Sequence, residues 1–515
     1  MGCLGDLGMA EQPSGNSAKA ISTKVRSGMR AVTVAQVSSQ ILTICALAIL
    51  LRYISKEAFG IFGMALPLLT LPRMFATLGI SVATVQKDSL DQSQLSALFW
   101  LTNVLSFIAA GVTVLLGWAL TGVYGASQLL SVCGALAGTT ILAGMSFTHQ
   151  SVLERKLLLG RLAAIRIAGQ LIGLVTAITT AVILDWGIWA LVLQQYVEWA
   201  IVVLGCWFTA GWKPNRPERA KIGSLVKFGG YYSTSSIVFY AGQNADKVVL
   251  SVLLGATKQG RELIGMYSKL YEVMMKPVQL VTNPTTQVML PGLSRLAATK
   301  DIKTLHEWAK SFYRFVGVLL IPAAVGLYAV APDFVEVLGG EDWTEGASIL
   351  LALAPVVAVH GLININGSLL AAIGRADQLM KAAIVIALLQ VQGAVAGFYL
   401  GKQFLDPTTG TVEGVAVGYS MVLIMVVFAP YMIFSLSMCG MRLKPLLVDL
   451  MHPLAAAMLM GLNVLFLRGF LLGRGWSTPA VLLLSVLMGV VCYAALAWPK
   501  VKRDVIGLLK GTAAS

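Results

Sequence analysis

The sequence predicts an all-α integral membrane protein with about fourteen transmembrane helices, and three observations predict it. Apolar residues make up 57% of the 515 residues and charged residues 12%, against roughly 45–50% and about 25% in soluble domains. Apolar runs of roughly 20 residues recur from residue 31 to residue 498, each long enough to cross a hydrocarbon core of about 30 Å. Lys and Arg gather in the short segments between alternate runs, the bias that sets the orientation of membrane helices.

The runs lie at roughly 31–52, 59–85, 95–119, 127–147, 163–184, 187–209, 226–254, 262–291, 315–332, 347–371, 379–400, 412–437, 447–467 and 477–498. Asp185-Trp186-Gly187 divides the fifth from the sixth. With the N-terminus in the cytoplasm, 27 of the 38 Lys and Arg fall in inner segments, seven in outer segments and four within spans. The expectation is therefore a multi-pass protein with both termini cytoplasmic. The net charge of +14 is spread in clusters between apolar runs rather than collected in a soluble patch, so a nucleic-acid partner is not expected. Residues 1–30 are small, polar and basic, without the apolar core of a signal peptide. Asp6 stands where a myristoylation pattern needs Ser or Thr.

The cysteines, Cys3, Cys45, Cys133, Cys206, Cys439 and Cys492, form no CxxC pair, and five lie in or beside apolar runs, which suits small core residues. No stretch between spans is long enough for a catalytic domain. No nucleophile–His–acid set, P-loop or metal motif is present, so an enzyme is not expected. The longest polar segments, 210–225 and 292–314, are basic and suit the inner membrane surface.

Two short stretches repeat at an offset of about 200 residues: Phe59-Gly60-Ile61-Phe62-Gly63-Met64 and Glu262-Leu263-Ile264-Gly265-Met266. Each is followed by a basic residue beside a proline, Pro72-Arg73 and Lys276-Pro277. This suggests parallel repeats. The expected division is a cytoplasmic segment 1–30, a first lobe 31–209 of six spans, a linker 210–225, a second lobe 226–437 of six spans, two further helices in 438–498 and a cytoplasmic tail 499–515.

Charged side chains at the bilayer centre cost at least about 2.5–3.5 kcal/mol and need a reason. Those placed within spans are Arg73, Glu198, Asp246, Lys247, Lys269, Glu272 and Lys276. Lys269, Glu272, Lys276 and Gln279 step along one helical face, where Glu272 can pair with both lysines. Thr70, Arg73, Thr77, Ser81 and Thr84 share a face of the second span, Thr33, Gln36, Gln40 and Thr43 one of the first. Ser236, Tyr240, Asn244 and Lys247 stripe the seventh, with Asp246 beside them, and His360, Asn364 and Ser368 the tenth. The stripes concentrate on spans 1, 2, 7 and 8 and are expected to converge on a central water-filled cavity lined by Arg73, Asn244, Asp246, Lys247, Lys269, Glu272, Lys276, Gln36 and Gln40. The competing explanation is polar packing between helices. His360 lacks a second ligand at metal spacing and suits a packed polar residue better. Pro67, Pro72, Pro277 and Pro284 interrupt spans 2 and 8 and predict bends there.

Further stretches carry a family resemblance: Lys56-Glu57-Ala58-Phe59-Gly60-Ile61-Phe62; Leu78-Gly79-Ile80-Ser81 with Val85-Gln86; Ala97-Leu98-Phe99-Trp100; Gly187-Ile188-Trp189-Ala190-Leu191-Val192; Val226-Lys227-Phe228-Gly229; Asn244-Ala245-Asp246-Lys247 leading to Leu254-Gly255; Gly265-Met266-Tyr267; and Gly374-Arg375-Ala376-Asp377. In their order and spacing, from about residue 25 to residue 430, the chain resembles the Wzx-type flippases, the polysaccharide-transporter branch of the multidrug/oligosaccharidyl-lipid/polysaccharide exporter superfamily. It departs at Thr77, where that family usually has an acidic residue before Leu-Gly.

The resemblance implies two six-helix lobes around a central cavity in a bacterial inner membrane. It implies a lipid-linked oligosaccharide as cargo, usually on undecaprenyl pyrophosphate, moved outward by alternating access for exopolysaccharide or lipopolysaccharide synthesis. No cofactor is expected, and coupling to a proton or sodium gradient is left open. Expected partners are the lipid-linked cargo and membrane lipid, with polysaccharide polymerase and chain-length components as further candidates. The rival readings are a cation-coupled drug exporter or a lipid II flippase of the same superfamily and, less favoured, a membrane polymerase or ligase.

Overall fold

A peptide chain in hydrocarbon must satisfy its own backbone hydrogen bonds, and for apolar runs of this length the helix is the solution. The computed structural model describes residues 39–77, 91–156, 158–216, 222–223, 237–238, 240–298, 301–405 and 409–510, and among them no strand occurs. In chain order the helices are α1 Ser39–Tyr53, α2 Lys56–Thr77, α3 Gln92–Tyr124, α4 Gln128–Arg155, α5 Leu159–Ile183, α6 Ile188–Ala210, α7 Ala245–Leu254, α8 Lys258–Ala298 and α9 Ile302–Gly339. A 3₁₀ turn, Glu341–Gly346, leads to α10 Ala347–Leu353 and α11 Val356–Ala372. There follow α12 Ala376–Phe404, α13 Gly410–Met421, a π-helical stretch Val422–Phe428, α14 Ala429–Met438, α15 Leu443–Gly473 and α16 Thr478–Lys510.

Among the described residues ten helices are long and apolar enough to cross a membrane, and the pair Glu341–Leu353 and Val356–Ala372, bent by 46°, makes an eleventh if it is one span. That establishes a multi-pass helical membrane protein and falls short of the fourteen spans expected from the sequence. Residues 31–38 and 226–236, in the expected first and seventh spans, lie outside the described residues. Within the described residues α1 is 15 residues long and α7 is 10. The 41-residue α8 carries Lys258, Arg261, Glu262, Lys269, Glu272 and Lys276 in its first half and Gln279, Thr282, Asn283, Thr285 and Thr286 in its second, which leaves no apolar stretch of span length. The expected tenth span is broken in two at Pro355, which opens α11 and cannot donate into the preceding helix.

Local signals place the breaks. Asp91 caps α3 by accepting the Gln94 amide at 2.7 Å. Asp185 and Gly187 adopt positive φ, 50° and 52°, which turns the chain between α5 and α6. At 1.5 Å per residue, α8 and the 38-residue α9 are each roughly 60 Å long, about twice the hydrocarbon thickness. Of the segment 292–314, expected at the membrane surface, residues 292–298 end α8 and residues 302–314 begin α9, with Gly292 against the Trp308 ring. α8 runs helically through Pro277 and Pro284, and Pro67 and Pro72 lie inside α2.

Helices α2 to α6 pack on one another, α8, α9 and α11 to α14 on one another, and α15 and α16 against α9. Contacts between the first two groups run through α2 with α8, and through α2 and α3 with α7. In α2 the apolar window is 67% buried, in α16 22%, so α2 is central and α16 faces lipid. A bidentate ion pair, Arg468 to Asp333 at 2.6 and 3.0 Å, fastens α15 to α9.

Between helices in lipid the hydrophobic effect supplies little attraction, so close approach of small residues carries the packing. Helices α12 and α13 are the extreme case. Gly393, Gly397 and Gly401 lie backbone to backbone against Gly418, Gly414 and Gly410, and a methyl group at any of them would overlap the facing chain. Gly134 on α4 has open space where its side chain would be. Opposite effects are therefore expected from one substitution type. Gly414→Ala lowers thermal stability in detergent by about 1–3 kcal/mol through overpacking, and Gly134→Ala raises it by up to about 1 kcal/mol through helix propensity.

Candidate functional site

The site is built where α2 crosses α8. Gly60 and Gly63 on α2 meet Gly265 and Ser268 on α8, with Gly60 against the Arg261 carbonyl and Gly265 against that of Lys56. The two stretches matched as a sequence repeat are therefore in contact with each other. Beside this crossing, one end of the molecule is shut. Arg261 reaches Glu57 at 2.7 Å, Arg52 Nη2 donates to the Val337 carbonyl at 3.1 Å, and Trp343 Nε1 donates to that of Leu51 at 3.2 Å.

Farther along both helices, away from the shut end, Leu66, Lys269, Glu272 and Gln279 take the place of the glycines. A cavity of about 260 Å³ opens there, walled by α2, α8 and the residues leading into α7, including Tyr240, Gln243 and Asn244. Its chemistry is cationic and aromatic. Glu272 takes Lys269 at 3.0 Å on one carboxylate oxygen and Lys276 at 3.3 Å on the other. Glu272 and Lys269 both line the cavity, and the Glu272 side chain is 39% exposed against 12% and 14% for the two lysines. Lys269 also sits over Phe59 at 5.1 Å. Lys247 Nζ donates to Asn244 Oδ1 at 3.1 Å and lies 4.5 Å above the Tyr271 ring, a cation–π arrangement that holds a charge without a carboxylate.

Arg73 lies two turns beyond the cavity wall on α2. Its Nη2 donates to Thr139 Oγ1 at 2.7 Å and its Nε to Thr140 Oγ1 at 3.3 Å, both on α4, and its guanidinium lies 5.1 Å from the Trp199 ring of α6. Among the described residues no carboxylate sits at ion-pair distance from it. Glu198 is within electrostatic reach of both Arg73 and Lys276, which ties the charges of the two helix groups together.

Of the residues expected at the cavity, Asn244, Lys247, Lys269 and Glu272 form its wall, and Lys276 and Arg73 continue the cationic strip. Asp246 does not face it. It is fully buried and accepts the Tyr267 hydroxyl at 2.5 Å, because successive residues of α7 point about 100° apart and Lys247 takes the cavity side. Gln40 also lies away from the cavity, with Oε1 shielded and without a hydrogen bond among the described residues. Its helix is held instead by Gln170 of α5, which accepts from Ser39 at 2.9 Å and donates to Thr43 at 2.9 Å. Gln36, Ser81, Thr84 and Ser236 lie outside the described residues. His360 is buried and reaches the Tyr419 hydroxyl at 2.8 Å, a packed polar residue one step from Tyr271, whose own hydroxyl is 3.2 Å from that of Tyr419.

Sequence reasoning missed the groups that hold the cations. Thr139, Thr140, Trp199 and Tyr271 sit in runs that read as apolar packing, and only the presence of an unpaired Arg73 signalled that such partners must exist. Glu57 and Arg261 fell in segments counted as outer loops, and their pairing joins positions 204 residues apart.

Comparison with known proteins agrees with this architecture. Residues 49–348, which hold both crossing helices and the cavity, match the family described as "Polysaccharide biosynthesis protein". The lipopolysaccharide biosynthesis protein WzxC of Escherichia coli (strain K12) is 22% identical over 434 residues, covering 84% of this chain and 85% of that one. The teichuronic acid biosynthesis protein TuaB of Bacillus subtilis (strain 168) is 26% identical over 306 residues, or 58% of this chain. The chain spans about three-fifths of TuaB, 61% of its length. Among solved structures, the lipid II flippase MurJ in an inward closed conformation shares the fold with a TM-score of 0.70 and 15% identity over 92% of this chain and 99% of that one. An inward-facing multidrug resistance MATE family transporter of the MOP superfamily gives 0.58 and 13% over 79% of this chain and 99% of that one. The family match covers well over half of the chain and contains the whole α2–α8 crossing, and the protein accordingly belongs to the polysaccharide biosynthesis protein family of multi-pass membrane proteins.

Proposed function

We propose that the protein is a flippase that moves a lipid-linked oligosaccharide from the cytoplasmic to the outer leaflet of a bacterial inner membrane. The observation that carries this is a cationic cavity between two helix groups, shut at one end by a backbone crossing. Arg73, Lys247, Lys269 and Lys276 face only three in-span acids, Glu198, Asp246 and Glu272, and Asp246 is turned away and bonded to Tyr267. A cavity for organic cations would have the opposite balance, so the drug-exporter reading is weaker. The names of WzxC and TuaB, both biosynthesis proteins of surface polysaccharides, support a saccharide cargo over lipid II.

The mechanism is physical. Arg73, Lys269 and Lys276 draw in the diphosphate that links sugar to lipid, since phosphate contacts to Lys and Arg are charge-assisted. Tyr240, Gln243, Asn244 and Gln279 meet sugar hydroxyls. The isoprenoid tail stays in lipid, and the helix groups rock about the α2–α8 crossing to expose the cavity on alternate sides. A proton or sodium gradient drives the return of the empty carrier, and the delivered unit passes to a polysaccharide polymerase and its chain-length components. The excess of Lys and Arg in inner segments supports cytoplasmic termini and a Glu57–Arg261 end on the outer side.

Two experiments test this reading. Arg73→Ala, Lys269→Ala and Lys276→Ala are each expected to lower export of the lipid-linked cargo about tenfold or more, the equivalent of a charge-assisted hydrogen bond worth about 1.5–3 kcal/mol. Wild-type export in all three overturns the anchor assignment. For orientation, single cysteines in a cysteine-free chain are labelled with a membrane-impermeant maleimide. Thr257→Cys, on the exposed turn between α7 and α8, reacts in intact cells, whereas Asn215→Cys, on the exposed segment after α6, reacts only after permeabilisation. The reverse pattern inverts the topology.

A further inference from the structure

The arrangement around Glu272 goes beyond a set of anchors. Its carboxylate spends one oxygen on Lys269 at 3.0 Å and the other on Lys276 at 3.3 Å. A bridging diphosphate presents the same pattern to two ammonium groups: acceptor oxygens on both sides of a small anion. Both ammonium groups are engaged by this one carboxylate, so an anion that takes up the two lysines must displace Glu272 from them.

We infer that Glu272 is a tethered competitor for the anion seat, occupying Lys269 and Lys276 in the empty carrier and giving way to the diphosphate of the cargo. This rests on the flippase reading and adds to it a reason why a strong anion site can release its cargo. Two lysines facing a water-filled cavity without a counter-ion would bind a diphosphate tightly and hold it. A carboxylate on the same helix face is present at high effective concentration whenever the cargo loosens, and it re-forms both ion pairs as the cargo leaves.

The displaced carboxylate has a destination. Lys247 lies within electrostatic reach of Glu272, and in the present state it is held by the neutral oxygen of Asn244 at 3.1 Å and the face of Tyr271 at 4.5 Å. Its neighbour Asp246 is engaged by Tyr267. A swing of Glu272 from the Lys269–Lys276 pair toward Lys247 exchanges partners within α8 for a partner at the start of α7. Occupancy of the seat is thereby linked to the α7–α8 contact, next to the crossing that seals the outer end.

The test uses the full-length protein in detergent and inorganic pyrophosphate as the probe, with affinity measured by titration calorimetry at low salt. Glu272→Gln is expected to bind pyrophosphate at least tenfold more tightly than the parent and to export cargo more slowly, because release is no longer assisted. Equal or weaker binding in Glu272→Gln overturns the competitor role and makes Glu272 a spacer between like charges. No binding by either form overturns the anchor reading itself, so the two failures are distinct. Lys247→Gln is expected to weaken binding several-fold more in the parent than in the Glu272→Gln background, where only the direct attraction of Lys247 for the anion is lost. An equal loss in both removes Lys247 as the destination. On the parent chain, which needs no substitution, added pyrophosphate shifts a carboxylate stretch in the infrared difference spectrum, and an unchanged spectrum contradicts displacement.

Discussion

The contact on which the rest of the structure depends is the backbone crossing of α2 and α8. Gly60 and Gly265 let the two helices touch without side chains between them, and every feature of the site follows from that point. On one side the crossing is shut by the Glu57–Arg261 pair. On the other, larger side chains take the place of the glycines, and the cavity and the Lys269–Glu272–Lys276 ladder lie there. The crossing glycines are flanked by the buried Phe59, Phe62, Ile264 and Met266, and they join the two helix groups, whereas the six interleaved glycines of α12 and α13 lie within one group.

The cations of the site are held in ways that cost carboxylates little. A charge buried in a membrane protein must be paired or solvated by protein dipoles. Arg73 is held by two threonine hydroxyls and the Trp199 ring, and Lys247 by an asparagine oxygen and the Tyr271 ring. Neither uses up an acid, so both keep attraction for an anion. Among the described residues Lys269 and Lys276 share one carboxylate, and Glu272 is the most exposed side chain of the three. The result is a cavity that is basic without being rigidly neutralised, which is what a diphosphate carrier between lipid leaflets needs.

Much of this was legible in the sequence, and the rest was hidden for identifiable reasons. Membrane helices announce themselves through long apolar runs, and the break at Asp185-Trp186-Gly187 appears in the structure as two positive φ angles. The spacing of Lys269, Glu272 and Lys276 gave their shared face, because helical periodicity is local. What depends on distant partners stayed out of view. Asp246 read as a cavity residue from its neighbours Asn244 and Lys247, and only the position of Tyr267 on another helix shows that it points elsewhere. Gln40 and Thr43 read as part of a cavity stripe until Gln170 of α5 was seen opposite them. Repetition matches Gly63-Met64 with Gly265-Met266, but it does not say that the two stretches touch. The glycines at 393, 397 and 401 and at 410, 414 and 418 carried a readable spacing of four that passed as ordinary apolar sequence.

The central claim is that export requires the α2–α8 crossing to open at its sealed end. The most direct measurement replaces the pair that closes it, Glu57→Cys with Arg261→Cys in a cysteine-free chain, and follows export of the lipid-linked cargo before and after oxidation. The account predicts that the disulfide stops export and that reduction restores it. Undiminished export with the disulfide fully formed would contradict it.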